Sequence, residues 1–183
     1  VDHPQVMERF RDLLAAKIVE LCMLLRRATG APLRGFRFAD DNCAMLNARL
    51  YERFGLPILQ HVFGVFCPEA EDYRFQHSDS EMSHLLPLLA RCRLHGCNLG
   101  PTVRPEVIRA AMPRTVIYGQ LPPFTFSRGT PQEIAAAVAR DIRAVGYDGG
   151  LVVDTAGSVN PGSKLEGLRG AMHAIQTLGQ CHP

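Results

Sequence analysis

The sequence lacks four features that each tie a chain to a class of function. It has no block of Lys and Arg, and a formal net charge of only +2, so nothing in it suggests a nucleic-acid surface. It has no apolar run long enough to cross a bilayer. Its amino-terminal residues are polar and amphipathic, without the pattern of a secretory peptide. Its cysteines, Cys22, Cys43, Cys67, Cys92, Cys97 and Cys181, are scattered without a CxxC pair. That excludes a zinc ribbon or a disulfide framework and leads us to expect reduced thiols in the cytoplasm.

What is there is ordinary globular material. Hydrophobic residues make up 46% and charged residues 21% of 183 positions, enough for one domain (1–183) with its own core. Periodicity divides the chain into a helix followed by strand–helix units. Residues 4–29 place Val6, Phe10, Leu14, Ile18, Leu21, Leu25 and Ala28 at helical spacing, with Pro4 in the first turn and Gly30 as the stop. A strand over 33–39 leads to Asp40-Asp41-Asn42, then to a helix capped by Asn47 and divided by Pro57. Tyr73 to His77 alternates as a strand does, and a helix follows from near Ser83 to His95-Gly96.

Cys97 to Gly100 reads as a brief strand before a helix from Pro105 to Met112. Thr115 to Leu121 is a β-branched, aromatic strand. Thr130-Pro131-Gln132-Glu133 is a capping box opening a helix with a stripe of Ile134, Val138, Ile142 and Val145. Gly149 to Asp154 is the last strand. Ser163 to Glu166 is a second capping box, before a helix striped by Leu165, Leu168, Met172, Ile175 and Leu178. Strict alternation implies an α/β fold with parallel strands and right-handed crossovers. Two architectures satisfy it: a complete five-stranded doubly wound sheet, or part of an eight-stranded barrel.

In either, chemistry gathers where strands end. His77 and Asp79, two residues apart after a strand, form a candidate general acid/base or metal pair; Ser78 to Glu81 also reads as a capping box. Asp40, Asp41 and Asn42 end an earlier strand, with Asp40 the preferred catalytic group and Asn42 a substrate contact. Tyr118 and Gln120 share a strand face by alternation and are candidate substrate contacts. Asp154 and Ser158, in the last strand–helix loop, are further substrate contacts, and the helix start near Ser163 could hold an anion. Cys43 is the one cysteine placed to reach the mouth. The remaining histidines, His3, His61, His84, His95, His173 and His182, read as surface or capping groups.

Several stretches, in order, resemble the uroporphyrinogen decarboxylase superfamily, which includes methyltransferases that work with corrinoid proteins. Phe36 to Asn42 followed by Leu50 to Pro57 is similar to the family's fourth strand and its F-x-x-F-x-x-P helix. Gln76-His77-Ser78-Asp79 falls where the methyltransferases carry a zinc-binding His-x-Cys. Tyr118 to Pro123 resembles Q-G-N-x-D-P, and Leu165-Glu166-Gly167-Leu168 resembles L-E-N-[LV]. The resemblance implies a parallel (β/α)8 TIM-type barrel about twice this length, of which the chain supplies about the last five strand–helix units. An isolated portion of that kind leaves open sheet edges.

The resemblance implies one of two activities: tetrapyrrole decarboxylation, or methyl transfer with a corrinoid protein as partner. A truncated, non-catalytic remnant is the third expectation. The expected substrate is a tetrapyrrole or a methylated compound, and a homodimer is an expected assembly. The family's thiolate is replaced by Asp79, while Gly157 stands where the methyltransferases have a later cysteine and the decarboxylases a histidine. His77 and Asp79 remain the expected ligands of a divalent metal such as zinc. No Asp-x-His-x-x-Gly motif is present, so a corrinoid would ride on the partner.

Overall fold

The computed structural model describes residues 2–147 and 149–179, so Cys181 and His182 lie outside the described residues. Five short strands, β1 (Phe36–Ala39), β2 (Arg74–His77), β3 (Gly96–Asn98), β4 (Val116–Tyr118) and β5 (Leu151–Val152), form one sheet in sequential order. Every pairing is parallel. Helices occupy the connections, as right-handed crossovers require. They are α1 (Pro4–Thr29), α2 (Ala48–Leu50), α3 (Leu56–Phe66), α4 (Leu86–Leu89), α5 (Pro105–Ala111), α6 (Thr125–Arg128), α7 (Pro131–Val145) and α8 (Leu165–Leu178). The fold is α/β, five strand–helix units of barrel type. No helix among the described residues is long and apolar enough to cross a membrane.

Strand alternation separates two chemistries. Phe36, Phe38, Cys97, Ile117 and Leu151 pack with Leu56, Leu59, Phe63 and Phe66 of α3, Leu86 and Leu89 of α4, and Ile108 of α5 in the main core. The other face carries Arg37, Ala39, Phe75, His77, Gly96, Asn98 and Tyr118, aligned by register: Arg37 beside Phe75, Ala39 beside His77, His77 beside Asn98. The register therefore sets His77 and Asn98 side by side at the strand ends.

Two arginines fasten the sheet's first edge. Arg26, near the end of α1, lies 4.4 Å from the Phe66 ring centroid and donates to the carbonyls of Pro32 and Gly35. Arg34 grips Asp72 with two bonds of 2.7 and 2.8 Å, joining the entries to β1 and β2. That pair holds the Asp72 carboxyl below its ordinary value.

Local expectations meet mixed outcomes. α1 has the bounds its periodicity predicts, and Asn47 caps α2 by accepting from Leu50 N at 2.9 Å. Thr130 and Glu133 form the reciprocal capping box. The second helix is divided where Pro57 predicts: after α2 the chain passes through a π-helical turn, Tyr51–Gly55, and Pro57 then sits in the first turn of α3, where its missing N–H is harmless. The helix expected from Ser83 to His95 is a broken run of 3-10 and α turns ending at Cys92, so Gly96 belongs to β3. Ser163 makes no capping box; its hydroxyl donates to Asn160 O, and Lys164 stands at the helix start without a side-chain cap.

Two apolar stripes face outward. α8 packs on α7 through the small residues Gly167, Ala171 and Ala174, which leaves Leu165, Met172 and Leu178 exposed. Short side chains let the two helices approach closely, and the bulky ones are displaced to the far side. α1 buries Ala15 and packs Ile18, Val19, Cys22 and Met23 on the core, while Val6, Phe10, Leu21 and Leu25 stay exposed. These helices lie at the two ends of the layer, each flanked on one side.

Because the folded Asp72 carboxyl is depressed, its pairing stabilises the protein above the ordinary value of 3.8 and is lost as pH falls through the lower, folded value. Urea titrations across that interval should show an acid-dependent loss that Asp72→Asn reduces. Thr130→Ala, by removing the cap on α7, should lower stability by about 1 kcal/mol in the same assay.

Candidate functional site

The site is built from the ends of β1, β2 and β3 and the turns that leave them. His77 closes β2, and its Nδ1 lies 2.9 Å from Oδ1 of Asn98 at the end of β3. The Asn98 amino group donates to the carbonyls of Tyr118 and Thr155, at 2.5 and 2.9 Å. Those two acceptors assign the orientation of the amide, and so its oxygen must be the atom facing His77. An oxygen there requires the proton on Nδ1. In a neutral ring the lone pair is then on Nε2, the atom turned toward the carboxylates.

Nε2 sits 3.2 Å from Oδ1 of Asp79, and Asp79 N donates to Asp41 Oδ1 at 2.7 Å. Ligating atoms of Asp41, His77 and Asp79 all lie within 4.8 Å of one another. A bare ring nitrogen and a carboxylate oxygen cannot bond to each other without a proton or a cation between them. This cluster is therefore suited to holding one or the other.

Gly157 shapes the same corner. A Cβ built there would lie 2.5 Å from Asp79 Oδ1, and the residue has φ 105°, where only glycine is unstrained. Asp79 fills the space that a side chain at 157 would take. The two positions thus trade places: a longer side chain at one requires a shorter one at the other.

Beside the cluster lies an open cleft of about 250 Å³, lined by Arg37, Phe38, Ala39, Phe75, His77, Asn98, Tyr118 and Asp154. It occupies the concave face of the sheet. Of the residues expected at the mouth, His77, Tyr118 and Asp154 line this cleft, and Asp79 joins His77 at its rim. Asp154 is exposed and accepts from Thr155 N at 2.7 Å.

Other expected residues lie elsewhere. The Asp40 carboxylate accepts from Cys43 N at 3.1 Å, serving the turn after β1, and it is Asp41 that reaches the cluster. Asn42 is exposed in the 3-10 turn Asn42–Met45 and does not line the cleft. Gln120 is buried on the other side of the sheet, donating to Gly100 O and Val103 O, while its backbone N–H meets Asp141. Alternation fails there because Gly119, at φ 130°, leaves the extended conformation and re-aims the next side chain. Ser158 is exposed and outside the cleft lining. Cys43 packs against Met82 instead of reaching the mouth, and burial, then Asp40, pushes its thiol up to about 12.

Sequence reasoning missed Asn98 and Arg37. Asn98 resembles any polar residue ending a strand; its role depends on bonds to residues 21, 20 and 57 positions away. Arg37 carries the signal of a charge on an otherwise apolar strand, which strand alternation alone could have placed on the concave face.

Comparison with known proteins agrees with this architecture. No curated protein matches the chain. Among solved structures, a methyltransferase from Methanosarcina mazei superposes with a TM-score of 0.66 at 17% sequence identity. The match covers 81% of this chain and 43% of that one, so the chain spans less than half the length of the structure it resembles. A family model for uroporphyrinogen decarboxylase (URO-D) matches residues 1–178. With that match running over nearly its whole length, the chain belongs to the uroporphyrinogen decarboxylase (URO-D) family.

Proposed function

We propose that the chain is part of a URO-D-family enzyme that transfers a methyl group with the help of a divalent cation, the corrinoid being carried by a separate protein. One observation carries this reading. His77 turns Nε2 toward Asp79, and ligating atoms of Asp41, His77 and Asp79 gather at the rim of a cleft. One imidazole nitrogen and two carboxylate oxygens are the donor set of a borderline or hard divalent ion such as zinc, manganese or iron(II). The Asn98 oxygen is the outer partner that fixes the ligand tautomer. A cation held there would act as a Lewis acid on the methylated compound.

The protein's own groups have defined tasks. Asn98 holds the ring; Asp41 holds the turn carrying Asp79 through its backbone N–H; Tyr118 and Phe75 provide an apolar wall that limits water. The likeness in fold to a methyltransferase supports this reading.

A second reading, decarboxylation of a tetrapyrrole, is favoured by the same His77–Asp79 contact. With a proton on each nitrogen, His77 bonded to Asp79 is an acid beside the cleft, able to protonate a pyrrole carbon as an acetate side chain loses carbon dioxide. Against it, Gly157 stands where the resemblance places the decarboxylase histidine, and Asp79 fills that space.

Titration calorimetry of the metal-free protein with zinc or manganese should show one site per chain. His77→Ala combined with Asp79→Asn should abolish it, and Asn98→Leu should weaken it by about 10–100-fold through loss of the outer partner. Absence of stoichiometric binding would sink the cation-dependent reading. Carbon dioxide release from uroporphyrinogen by the same preparation would establish the second, and neither result would leave a non-catalytic remnant.

A further inference from the structure

We infer that Arg37 is the anchor for a carboxylate group on the substrate, so that the cleft takes a small planar acid with its anionic end at Arg37 and its reacting end at His77. The inference rests on the cleft being the substrate site, as in the function proposed above.

The surroundings of Arg37 are the first reason. The guanidinium groups of Arg11, Arg34, Arg53, Arg91 and Arg140 each meet a carboxylate of this chain. Arg37, like several other arginines, is seen in no ion pair among the described residues, and of these it is the one that lines the cleft. Its carbon Cζ instead lies 4.2 Å from the centroid of the Phe75 ring. Stacking on an aromatic face holds the guanidinium plane and leaves its edge, with the N–H groups, available for a forked bond to a carboxylate. The residue lines the cleft, so those donors border the space a ligand would enter.

The floor beneath it is the second reason. Phe75 stacks with Tyr73 and meets Tyr118 edge-on, at centroid separations of 6.1 and 5.3 Å. The hydroxyls of Tyr73 and Tyr118 lie 3.2 Å apart. A Cβ on Gly96 would come within 2.7 Å of the Tyr73 hydroxyl and 2.9 Å of Phe75, so the aromatic floor closes only over a residue without a side chain. A flat, apolar floor beside one cation selects a flat, apolar body with one negative charge.

Spacing completes the case. Arg37 pairs with Phe75 and Ala39 with His77, two residues further along parallel strands. That is roughly 7 Å at about 3.3 Å per residue, the length of a small planar acid. Asp154 and Asp79 make the rest of the opening acidic, which favours a single carboxylate over a doubly charged phosphate.

The test uses the chain after removal of divalent ions on a chelating resin, so that failure of the cation site leaves this measurement intact. Benzoate, its neutral relative benzamide, and phenyl phosphate are titrated by ligand-observed NMR. Benzoate should bind at least tenfold more tightly than benzamide and more tightly than phenyl phosphate. Arg37→Met, which keeps the stem on Phe75 and removes the charge, should bring benzoate down to the level of benzamide. Arg37→Lys, which keeps the charge and loses the fork, should fall between. Arg128→Met, which removes an arginine stacked on Phe124 outside the cleft, should leave benzoate affinity unchanged. The inference is overturned if benzoate fails to bind, if benzamide binds as tightly, if Arg37→Met retains the preference, or if phenyl phosphate binds more tightly.

Discussion

The amide of Asn98 is the constraint on which the site depends. It is nearly buried, and its three hydrogen bonds run to the ring of His77 and to the carbonyls of Tyr118 and Thr155. One side chain thus joins the ends of β2 and β4 to the loop after β5. A buried amide is costly unless satisfied, and here both its amino protons and its oxygen find partners. The same bonds that secure the sheet's open end determine which nitrogen of His77 carries the proton. Structure and chemistry are set together, by one orientation of one group.

The sheet itself explains why the chemistry lies on one side. Its helix-covered face is filled by residues such as Cys97, Ile117 and Leu99, all fully buried. Its concave face collects the charged and aromatic residues around an opening. The five strands form an arc with β1 and β5 at its edges, and the terminal helices α1 and α8 keep bulky apolar side chains exposed. In a full barrel those edges would be paired and those helices flanked on both sides. The outward leucines are the counterpart, in the helix layer, of the unpaired edges in the sheet.

The sequence declares what is local. The limits of α1, the cap at Asn47 and the box at Thr130 each follow from a few neighbouring residues, and each is present. The meeting of His77 with Asp79 is local too, two positions apart beyond a strand end. What escapes is decided by distant partners. The choice between Asp40 and Asp41 depends on which carboxylate the turn after β2 approaches, and Asp79 N selects Asp41. Gln120 follows alternation only if the strand continues, and the backbone at Gly119 ends it. The stripe on α8 has helical periodicity but does not say which face packs, and small residues win the contact with α7.

A long-range proton–nitrogen correlation spectrum of the histidine rings, recorded without metal at a pH where His77 is neutral, tests the central claim most directly. The signals should place the proton on Nδ1 of His77 and leave Nε2 bare, the form that Asn98 dictates and that a cation or an acidic proton could use. A proton on Nε2 with Nδ1 bare would mean that the amide faces the other way, and both the cation site and the acid–base role built on this ring would fall with it.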